Sequence, residues 1–187
     1  LLYLSLPKTR HMIHLHDKTF VPFISSEEID FAIANMAKKM ADDFFDETPV
    51  FIGVLNGSFM VLSDLMKNYR GMCEVSFLKM ASYQGTQSTN QVKRLLGLDI
   101  DLAGRTVVVV EDIVDTGHTV EALKALFKEQ NAKHVKFATL FFKPEAYKKD
   151  VKIDYVGIRI PNKFIVGYGL DYDGLGRNLP EVYQLKE

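Results

Sequence analysis

The chain has 187 residues, of which 47% are hydrophobic, and its formal net charge is −1. This length and composition suffice for one sizeable core, and the near-neutral charge argues against a nucleic-acid binder that depends on a broad basic surface. The single cysteine, Cys73, excludes an internal disulfide framework and fits a reducing cytoplasm. No apolar run reaches the ~20 residues that a membrane-spanning helix needs.

The first eleven residues fit poorly with the rest of the chain. They carry no small-residue cleavage site, which argues against a signal peptide. Met12, followed by Ile13, has the form of a natural start. We therefore expect residues 1–11 to be a non-native or misassigned extension, and residues 12–187 to form a single domain.

The first third of the chain contains signals for two helices and a strand between them. Ser25 and Glu28 have the Ser-x-x-Glu spacing of a capping box. Apolar residues then recur at spacings of three and four, which predicts an amphipathic helix to about residue 45. Residues 50–55 are typical of a buried strand, and a Gly-containing turn leads into a second helix over about 59–69.

A polar loop separates the next two predicted strands. Residues 75–83 alternate like a strand, residues 84–91 have almost no apolar content, and residues 93–98 are expected to return as an antiparallel partner. Because long polar loops in compact domains often act as lids, we expect residues 84–91 to cover a site.

The second half of the chain alternates strands with a helix. Strands are predicted over 106–111, 135–142 and 153–158, and a helix extends to about residue 131 after the first of them. Such alternation predicts an α/β fold with a mostly parallel central sheet and helices on both faces. From Pro161 onward Gly, Tyr and Asp are frequent and no periodicity is visible, so we expect an irregular subdomain over the carboxyl edge of the sheet.

Residues 107–119 carry the strongest functional signal. Four valines form a strand that is typical of burial on both faces. Three carboxylates (Glu111, Asp112 and Asp115) follow at its end, and the small residues of 116–119 then open a helix. A strand, a small-residue turn and a helix start form a cup of backbone N–H groups that suits a phosphate, while the carboxylates suit sugar hydroxyls or a divalent cation.

A simpler interpretation of this block is a βα connection in which Asp115 only caps the helix, because helix caps are common. That interpretation leaves two further acids unexplained, and buried carboxylates are costly unless they are paired or coordinated. We therefore favour a binding site over a cap.

The block resembles the phosphoribosyl pyrophosphate (PRPP) signature of the type I phosphoribosyltransferases, in the form of the hypoxanthine/guanine branch, and further matches extend over roughly residues 13–187. The resemblance implies that family's fold, in which a small hood of C-terminal and N-terminal segments covers the carboxyl edge of the sheet. It also implies that Asp115 exchanges a proton with purine N7 as general base and acid. The residues implied to bind the ribose and the 5′-phosphate of PRPP are Glu111, Asp112, Ile113, Val114, Asp115, Thr116, Gly117, His118 and Thr119.

The turn after the first buried strand matches the family's pyrophosphate loop. Leu55, Asn56 and Gly57 would bind pyrophosphate through backbone amides, and the resemblance implies a non-proline cis peptide bond there. Asn56 stands where many relatives have lysine, which removes one cation but leaves the amides. From the residues alone, an ordinary βα turn explains the pattern equally well.

Ser82 and Tyr83 match the Ser-Tyr pair of the family's mobile lid. A closing lid excludes water and so protects a reactive sugar cation from hydrolysis. From the residues alone, a tyrosine that ends a strand explains the same pair equally well.

The resemblance implies four purine-binding residues. Lys143 would donate to the 6-oxo oxygen, because an ammonium has donors only. Phe164 would stack on the base, the Ile165 backbone would meet its edge, and Asp171 would complete the group. From the residues alone, Lys143 is typical of a solvated strand end and Phe164 of a core residue.

The resemblance also implies a metal site and a further pyrophosphate ligand. Glu111, Asp112 and Asp171 would hold Mg²⁺, directly or through water. Arg177 would bind pyrophosphate oxygens with its planar fork, although from the residues alone it is typical of an ordinary surface residue.

The implied activity is purine salvage. The 5-phosphoribosyl group of PRPP would be transferred to N9 of hypoxanthine or guanine, giving IMP or GMP and pyrophosphate, with Mg²⁺ as cofactor. The implied protein is a cytoplasmic homodimer or homotetramer without nucleic-acid or membrane partners. Two alternatives are a PRPP-sensing regulator, against which the lack of a basic stripe argues, and an adenine- or pyrimidine-specific transferase, against which the matches at Lys143 and 164–171 argue.

Overall fold

The computed structural model of the protein describes residues 11–81, 93–96 and 100–187. Ser82, Tyr83 and the predicted lid over 84–91 lie outside the described residues, as do residues 1–10. In chain order the elements are β1 (Ile13–Leu15), β2 (Lys18–Ile24), α1 (Ser26–Asp43), β3 (Val50–Leu55), α2 (Phe59–Asn68), β4 (Glu74–Ala81), β5 (Lys93–Leu96), β6 (Thr106–Val114), α3 (His118–Glu129), β7 (His134–Phe142), β8 (Tyr155–Arg159), β9 (Ile165–Val166) and β10 (Val182–Leu185).

A six-stranded sheet in the order β5-β4-β3-β6-β7-β8 forms the centre of the fold. Its pairs are parallel from β4 to β8, and the edge strand β5 runs antiparallel to β4. The predicted mostly parallel sheet is therefore confirmed. Because parallel strands end at the same edge, the turns after β3, β6 and β7 are brought together there.

The four valines of β6 show why helices cover both faces of this sheet. Val108 and Val110 pack in a core with residues of α1 and α2, whereas Val107 and Val109 pack in a second core with residues of α3. All four are fully buried. Successive strand side chains point to opposite faces, so a strand without polar alternation must be covered on both sides.

The helix boundaries follow from local chemistry. The predicted capping box starts α1, since the Ser25 hydroxyl accepts from the Glu28 N–H at 3.1 Å and the Glu28 carboxylate accepts from the Ser25 N–H at 2.9 Å. Helix α3 ends at Glu129, two residues before its predicted end, because Asn131 has a φ of +57° and leaves the helical conformation.

A second sheet in the order β1-β2-β10-β9 joins the two ends of the chain and is antiparallel throughout. It forms the hood that the resemblance implied. The sequence patterns did not reveal these strands, and the segment after Pro161 is more regular than expected, because β9 and β10 pair with each other and β10 pairs with β2. Within the described residues, no helix is both long and apolar enough to cross a membrane.

Candidate active site

The turn after β3, residues 56–58, lies at the carboxyl edge of the central sheet. The implied non-proline cis peptide bond, between Leu55 and Asn56, joins β3 to this turn. The Asn56 side chain is exposed, whereas Gly57 is buried. The turn therefore presents backbone and an uncharged side chain at this edge of the sheet.

Two glycines let three segments of chain meet at this turn. A β-carbon on residue 57 would lie 1.7 Å from Oδ2 of Asp112, and one on residue 169 would lie 2.1 Å from the carbonyl oxygen of Gly57. The turn after β3 is thus held between the end of β6 and the segment 167–171. No side chain fits at either glycine without displacing these neighbours.

The acid pair, Glu111 and Asp112, lies near the carboxyl end of the strand β6, which extends to Val114 and is three residues longer than predicted. Glu111 is only 6% exposed, and its Oε1 atom has no hydrogen-bond partner among the described residues. Burial, and then the neighbouring Asp112 carboxylate, raise the pKa of Glu111 well above its usual range. A buried acceptor of this kind suits a hydroxyl group or a cation from a ligand.

Asp112 is also perturbed by its surroundings. Burial raises its pKa to about 6, although hydrogen bonds from backbone N–H groups and the positive charge of Arg177 oppose the rise. The N–H group of Ile113 donates to Oδ1 of Asp112 at 2.9 Å. Perturbed carboxylates in a cleft are typical of functional sites.

The turn after β6, residues 115–117, and the first residues of α3 form the predicted cup. Glu111 and residues 113–120 line a cavity of about 110 Å³. Gly117 is the N-cap of α3 with a φ of +87°, and a β-carbon there would lie 2.4 Å from the ring of Tyr147. The alternative in which Asp115 only caps the helix is therefore wrong, because Gly117 holds that position without a side-chain hydrogen bond.

Asp115 instead pairs with Lys143 across two neighbouring strands. Nζ of Lys143 donates to Oδ2 of Asp115 at 2.8 Å. The pairing follows from register, since Val114 of β6 lies opposite Phe142 of β7 and each charged residue follows directly. The Lys143 side chain is 8% exposed and that of Asp115 is 43% exposed. The interpretation of Lys143 as a solvated strand end is wrong.

Phe164 and Ile165 lie where the hood meets the site edge. The Phe164 side chain is 47% exposed, so its interpretation as a core residue is wrong. Its ring centroid lies 5.9 Å from Tyr172 and 6.2 Å from Phe20, which orients it. The Ile165 side chain is buried in β9. This burial is compatible with the expected contact between the Ile165 backbone and the edge of the purine.

Arg177 is engaged by the segment 167–171. Nη2 of Arg177 lies 2.6 Å from Oδ1 of Asp171, and Nη1 donates to the carbonyl oxygen of Gly169 at 2.7 Å. The N–H group of Gly174 donates to the second oxygen of Asp171 at 2.8 Å. The Arg177 side chain is therefore held at the edge of the site by an ion pair and a hydrogen bond, and it is not an ordinary surface residue.

Sequence reasoning missed several residues that build this edge. Gly169 packs against Gly57, Tyr172 packs against Phe164, and Tyr147 packs against Gly117. The paired glycines around residue 168 were a visible turn signal. Nothing in the local pattern indicated which distant segment each residue would meet.

Comparisons with known proteins agree with this geometry. The model of the phosphoribosyl transferase domain family matches residues 25–173. A hypoxanthine-guanine phosphoribosyltransferase from Streptococcus agalactiae is 43% identical over 164 residues, which are 87% of this chain and 91% of that protein. The Bacillus subtilis protein of the same name is 39% identical over the same shares. A crystal structure of a hypoxanthine-guanine phosphoribosyltransferase from Bacillus anthracis, with HEPES in its active site, has a TM-score of 0.83 and 38% identity, and the alignment covers 88% of this chain and 98% of that one.

Proposed function

The chain belongs to the phosphoribosyl transferase family, and we propose that the site at its sheet edge performs purine salvage with PRPP. The purine N9 forms a bond to C1′ of PRPP while the bond from C1′ to the pyrophosphate oxygen breaks. The products are a nucleoside 5′-monophosphate and pyrophosphate. Hypoxanthine and guanine are the bases named for the similar proteins.

The observation that carries the proposal is the ion pair between Lys143 and Asp115 at the rim of the cup. A lysine ammonium offers only hydrogen-bond donors, so it matches a 6-oxo group and not a 6-amino group. The half-exposed Asp115 carboxylate lies 2.8 Å from that ammonium. A 6-oxopurine at this position therefore meets two groups: Lys143 donates to its 6-oxo oxygen, and Asp115 accepts the proton that the purine must release.

Asp115 is the general base of the proposed reaction. It takes the proton that the purine loses when N9 bonds to C1′, by way of N7, and it returns a proton there in the reverse direction. The transition state has oxocarbenium character, so no protein nucleophile is required. Cys73, whose pKa is raised by burial, remains a thiol and takes no part.

The phosphoribosyl group occupies the cup and the acid pair. Backbone N–H groups of residues 116–119 bind the 5′-phosphate in this proposal. They lie at the start of α3, whose N-cap is Gly117, and the helix dipole there also favours an anion. Glu111 and Asp112 accept hydrogen bonds from the ribose hydroxyls. The partnerless Oε1 of Glu111 supports this role, because a ligand hydroxyl satisfies it.

The pyrophosphate end lies between the turn after β3 and Arg177. The turn offers backbone amides, and Gly57 keeps the space around them free of side chains. The guanidinium of Arg177 offers a bidentate match for phosphate oxygens once it leaves Asp171. The amides and Arg177 together compensate for the neutral Asn56.

The carboxylates of this site suit a Mg²⁺ ion that would be held jointly by the protein and by the phosphates of PRPP. Within the described residues, no group of three or more His, Cys, Asp or Glu side chains is placed to hold a metal alone. Mg²⁺ is commonly held by one or two carboxylates plus substrate phosphates and water. Asp171, Glu111 and Asp112 would supply such carboxylates, and the ion would neutralise charge on the pyrophosphate.

Phe164 supplies a stacking face for the base. Its side chain is nearly half exposed although it lies against Phe20 and Tyr172. An exposed aromatic ring held by neighbours is a surface on which a planar base stacks at low entropic cost. The Ile165 backbone and Asp171 follow it along the same edge.

The test incubates the protein with PRPP and Mg²⁺ and with one base at a time: hypoxanthine, guanine, xanthine, adenine or uracil. Nucleotide and pyrophosphate are then measured. We expect both products with hypoxanthine and guanine, and neither with adenine or uracil. Turnover of adenine or uracil would contradict the role of Lys143. PRPP binding without turnover of any base would indicate a sensor of PRPP instead of an enzyme.

The homodimer or homotetramer implied by the resemblance stays a prediction. Light scattering coupled to size exclusion measures the mass in solution. A mass of two or four copies of the chain would agree with it, and a monomer would contradict it.

A further inference from the structure

The segment 167–169 adopts a backbone conformation that needs an external support. Three consecutive residues have positive φ values: +100° at Gly167, +49° at Tyr168 and +97° at Gly169. Glycine adopts such values freely, whereas an L residue with a bulky side chain rarely does. Tyr168 therefore stays in this turn because other contacts hold it there.

The side chain of Tyr168 provides those contacts. The residue is 4% exposed, and its hydroxyl donates to the Oδ2 atom of Asp64 on α2. Burial, and then this hydrogen bond, raise the pKa of Tyr168, so the phenol keeps its proton. Burial opposes ionisation of Asp64, but hydrogen bonds from Lys67 and Tyr168 outweigh it and lower its pKa. The contact is a hydrogen bond from a phenol to a carboxylate.

Helix α2 and the turn after β3 are one continuous stretch of chain. The turn spans residues 56–58, and α2 begins at Phe59. The backbone of Gly169 packs directly on the carbonyl oxygen of Gly57, and the carbonyl oxygen of Gly169 accepts from Arg177. The same two stretches of chain thus touch twice, once at the glycines and once at Tyr168 and Asp64.

We propose that Tyr168 is a positioning residue for the pyrophosphate end of the site. Through Asp64 it fixes the segment 167–171 against α2, and so sets the spacing between the amides of the turn after β3 and the guanidinium of Arg177. This inference rests on the proposed function, since it assigns a device to the same site. The hydroxyl touches no substrate and acts only through the backbone that it holds.

The chain contains a matched control for this contact. Tyr155 is also 4% exposed, and its hydroxyl also donates to a helical aspartate, Asp43, at 2.9 Å. Each aspartate also pairs with a lysine of its own helix, Lys39 at 2.6 Å for Asp43 and Lys67 at 2.7 Å for Asp64. The Tyr155 contact ties β8 to the end of α1 and includes none of the site residues.

The experiment compares Tyr168→Phe with Tyr155→Phe in the full chain. Affinity for inorganic pyrophosphate with Mg²⁺ and for GMP is measured by calorimetry, KM for PRPP by steady-state kinetics, and stability by urea unfolding. For Tyr168→Phe we expect pyrophosphate affinity and KM for PRPP to worsen by about 5- to 50-fold, the scale of losing part of a hydrogen bond to a charged group. GMP affinity, which does not use the pyrophosphate end, should change less than about 3-fold.

Tyr155→Phe should lower the free energy of unfolding about as much as Tyr168→Phe does, and it should leave the two affinities and the KM for PRPP within about 2-fold of their original values. Two substitutions on α2 sharpen the comparison. Asp64→Asn keeps an oxygen that accepts from Tyr168 and should restore most of the affinity lost in Asp64→Ala. Lys67→Met removes the other partner of Asp64 and should leave both affinities and the KM for PRPP unchanged. If Tyr168→Phe does not fold, Asp64→Ala carries the same expected loss.

The outcomes separate the inference from the function on which it rests. If the unaltered protein neither binds pyrophosphate nor consumes PRPP, the proposed function fails and the inference fails with it. If the unaltered protein does both, but Tyr168→Phe behaves like Tyr155→Phe, the inference alone is overturned. Equal losses of pyrophosphate and GMP affinity would also overturn it, because they would indicate general distortion of the site.

Discussion

The carboxylate of Asp112 fills the space that any side chain on residue 57 would need. A β-carbon on Gly57 would come within 1.7 Å of Oδ2 of Asp112 and 2.3 Å of its carboxyl carbon. Gly57 has no positive φ that would require glycine for conformational reasons. Glycine is needed at this position because another part of the site lies against it.

Gly57→Ala should therefore damage activity more than stability. The methyl group must displace either Asp112 or the turn after β3, and a shift of about 1 Å at a site can cost 10²-fold in rate. We expect kcat/KM for PRPP to fall by roughly 10²-fold and the free energy of unfolding to fall by about 1–3 kcal/mol. Gly104→Ala is the control, because residue 104 has open space around it and a φ of +72°. It should lose stability and keep activity. Full activity in Gly57→Ala would contradict the tight contact.

Asp115→Asn tests the general base. The amide oxygen can still accept from Lys143, so the fold and PRPP binding should be kept, but the amide cannot take a proton from the purine. We expect kcat to fall by roughly 10²–10⁴-fold. Glu121→Gln is a matched control, because Glu121 is an exposed acid in the first turn of α3 and pairs with Lys149 at 2.6 Å. Unchanged turnover in Asp115→Asn would remove Asp115 from the mechanism.

Lys143→Met tests recognition of the 6-oxo group. Methionine keeps an apolar stem in the buried position but removes the ammonium that donates to Asp115. A hydrogen bond from a charged donor is worth about 1.5–3 kcal/mol, so kcat/KM for hypoxanthine should fall by roughly 10- to 150-fold. Unsubstituted purine, which lacks the 6-oxo group, should lose far less. Equal losses for both bases would contradict the assigned role. Lys124→Met, which removes an exposed lysine of α3, serves as the control.

The central sheet could be predicted because its signals are local. The valines of β6 have no polar alternation, and the residues that follow them change type abruptly from apolar to acidic to small. Those signals depend only on neighbours in sequence. The strands of the hood gave no such signal, because β9 has two residues and β10 pairs with β2, which lies about 160 residues earlier.

The residue-by-residue assignment of the site rests on the family resemblance and stays a prediction. The residues alone favour a solvated Lys143 and a buried Phe164, and the structure shows the opposite for both. The reason is that exposure depends on which segments meet. Asp115 covers the end of β7, and Phe164 lies at the edge of the hood where it is packed on one side only. The contact of Tyr168 with Asp64 spans 104 residues and lies beyond any local pattern.

Asp112 should make the folded protein less stable as pH rises, in buffer free of divalent cations. Its pKa is raised to about 6 from a usual value of 3.8, chiefly by burial. The folded state therefore holds the proton more tightly than the unfolded state. This contribution to stability is fully present below about pH 4 and is lost as pH rises through about 6. The shift corresponds to roughly 3 kcal/mol at most.

Asp112→Asn isolates this contribution, because asparagine resembles the protonated acid at every pH. Urea unfolding should give nearly equal stabilities for the variant and the unaltered protein at pH 4, and a variant more stable by about 1–3 kcal/mol at pH 7.5. The same variant should bind PRPP poorly, since the ribose loses a charged acceptor. Asp42→Asn, at a side chain that is 65% exposed, should change stability by less than about 0.5 kcal/mol at both pH values. If the variant is less stable than the unaltered protein at pH 7.5, the ionised Asp112 stabilises the fold. That result would contradict the prediction that the buried carboxylate lowers stability and is kept for binding a ligand.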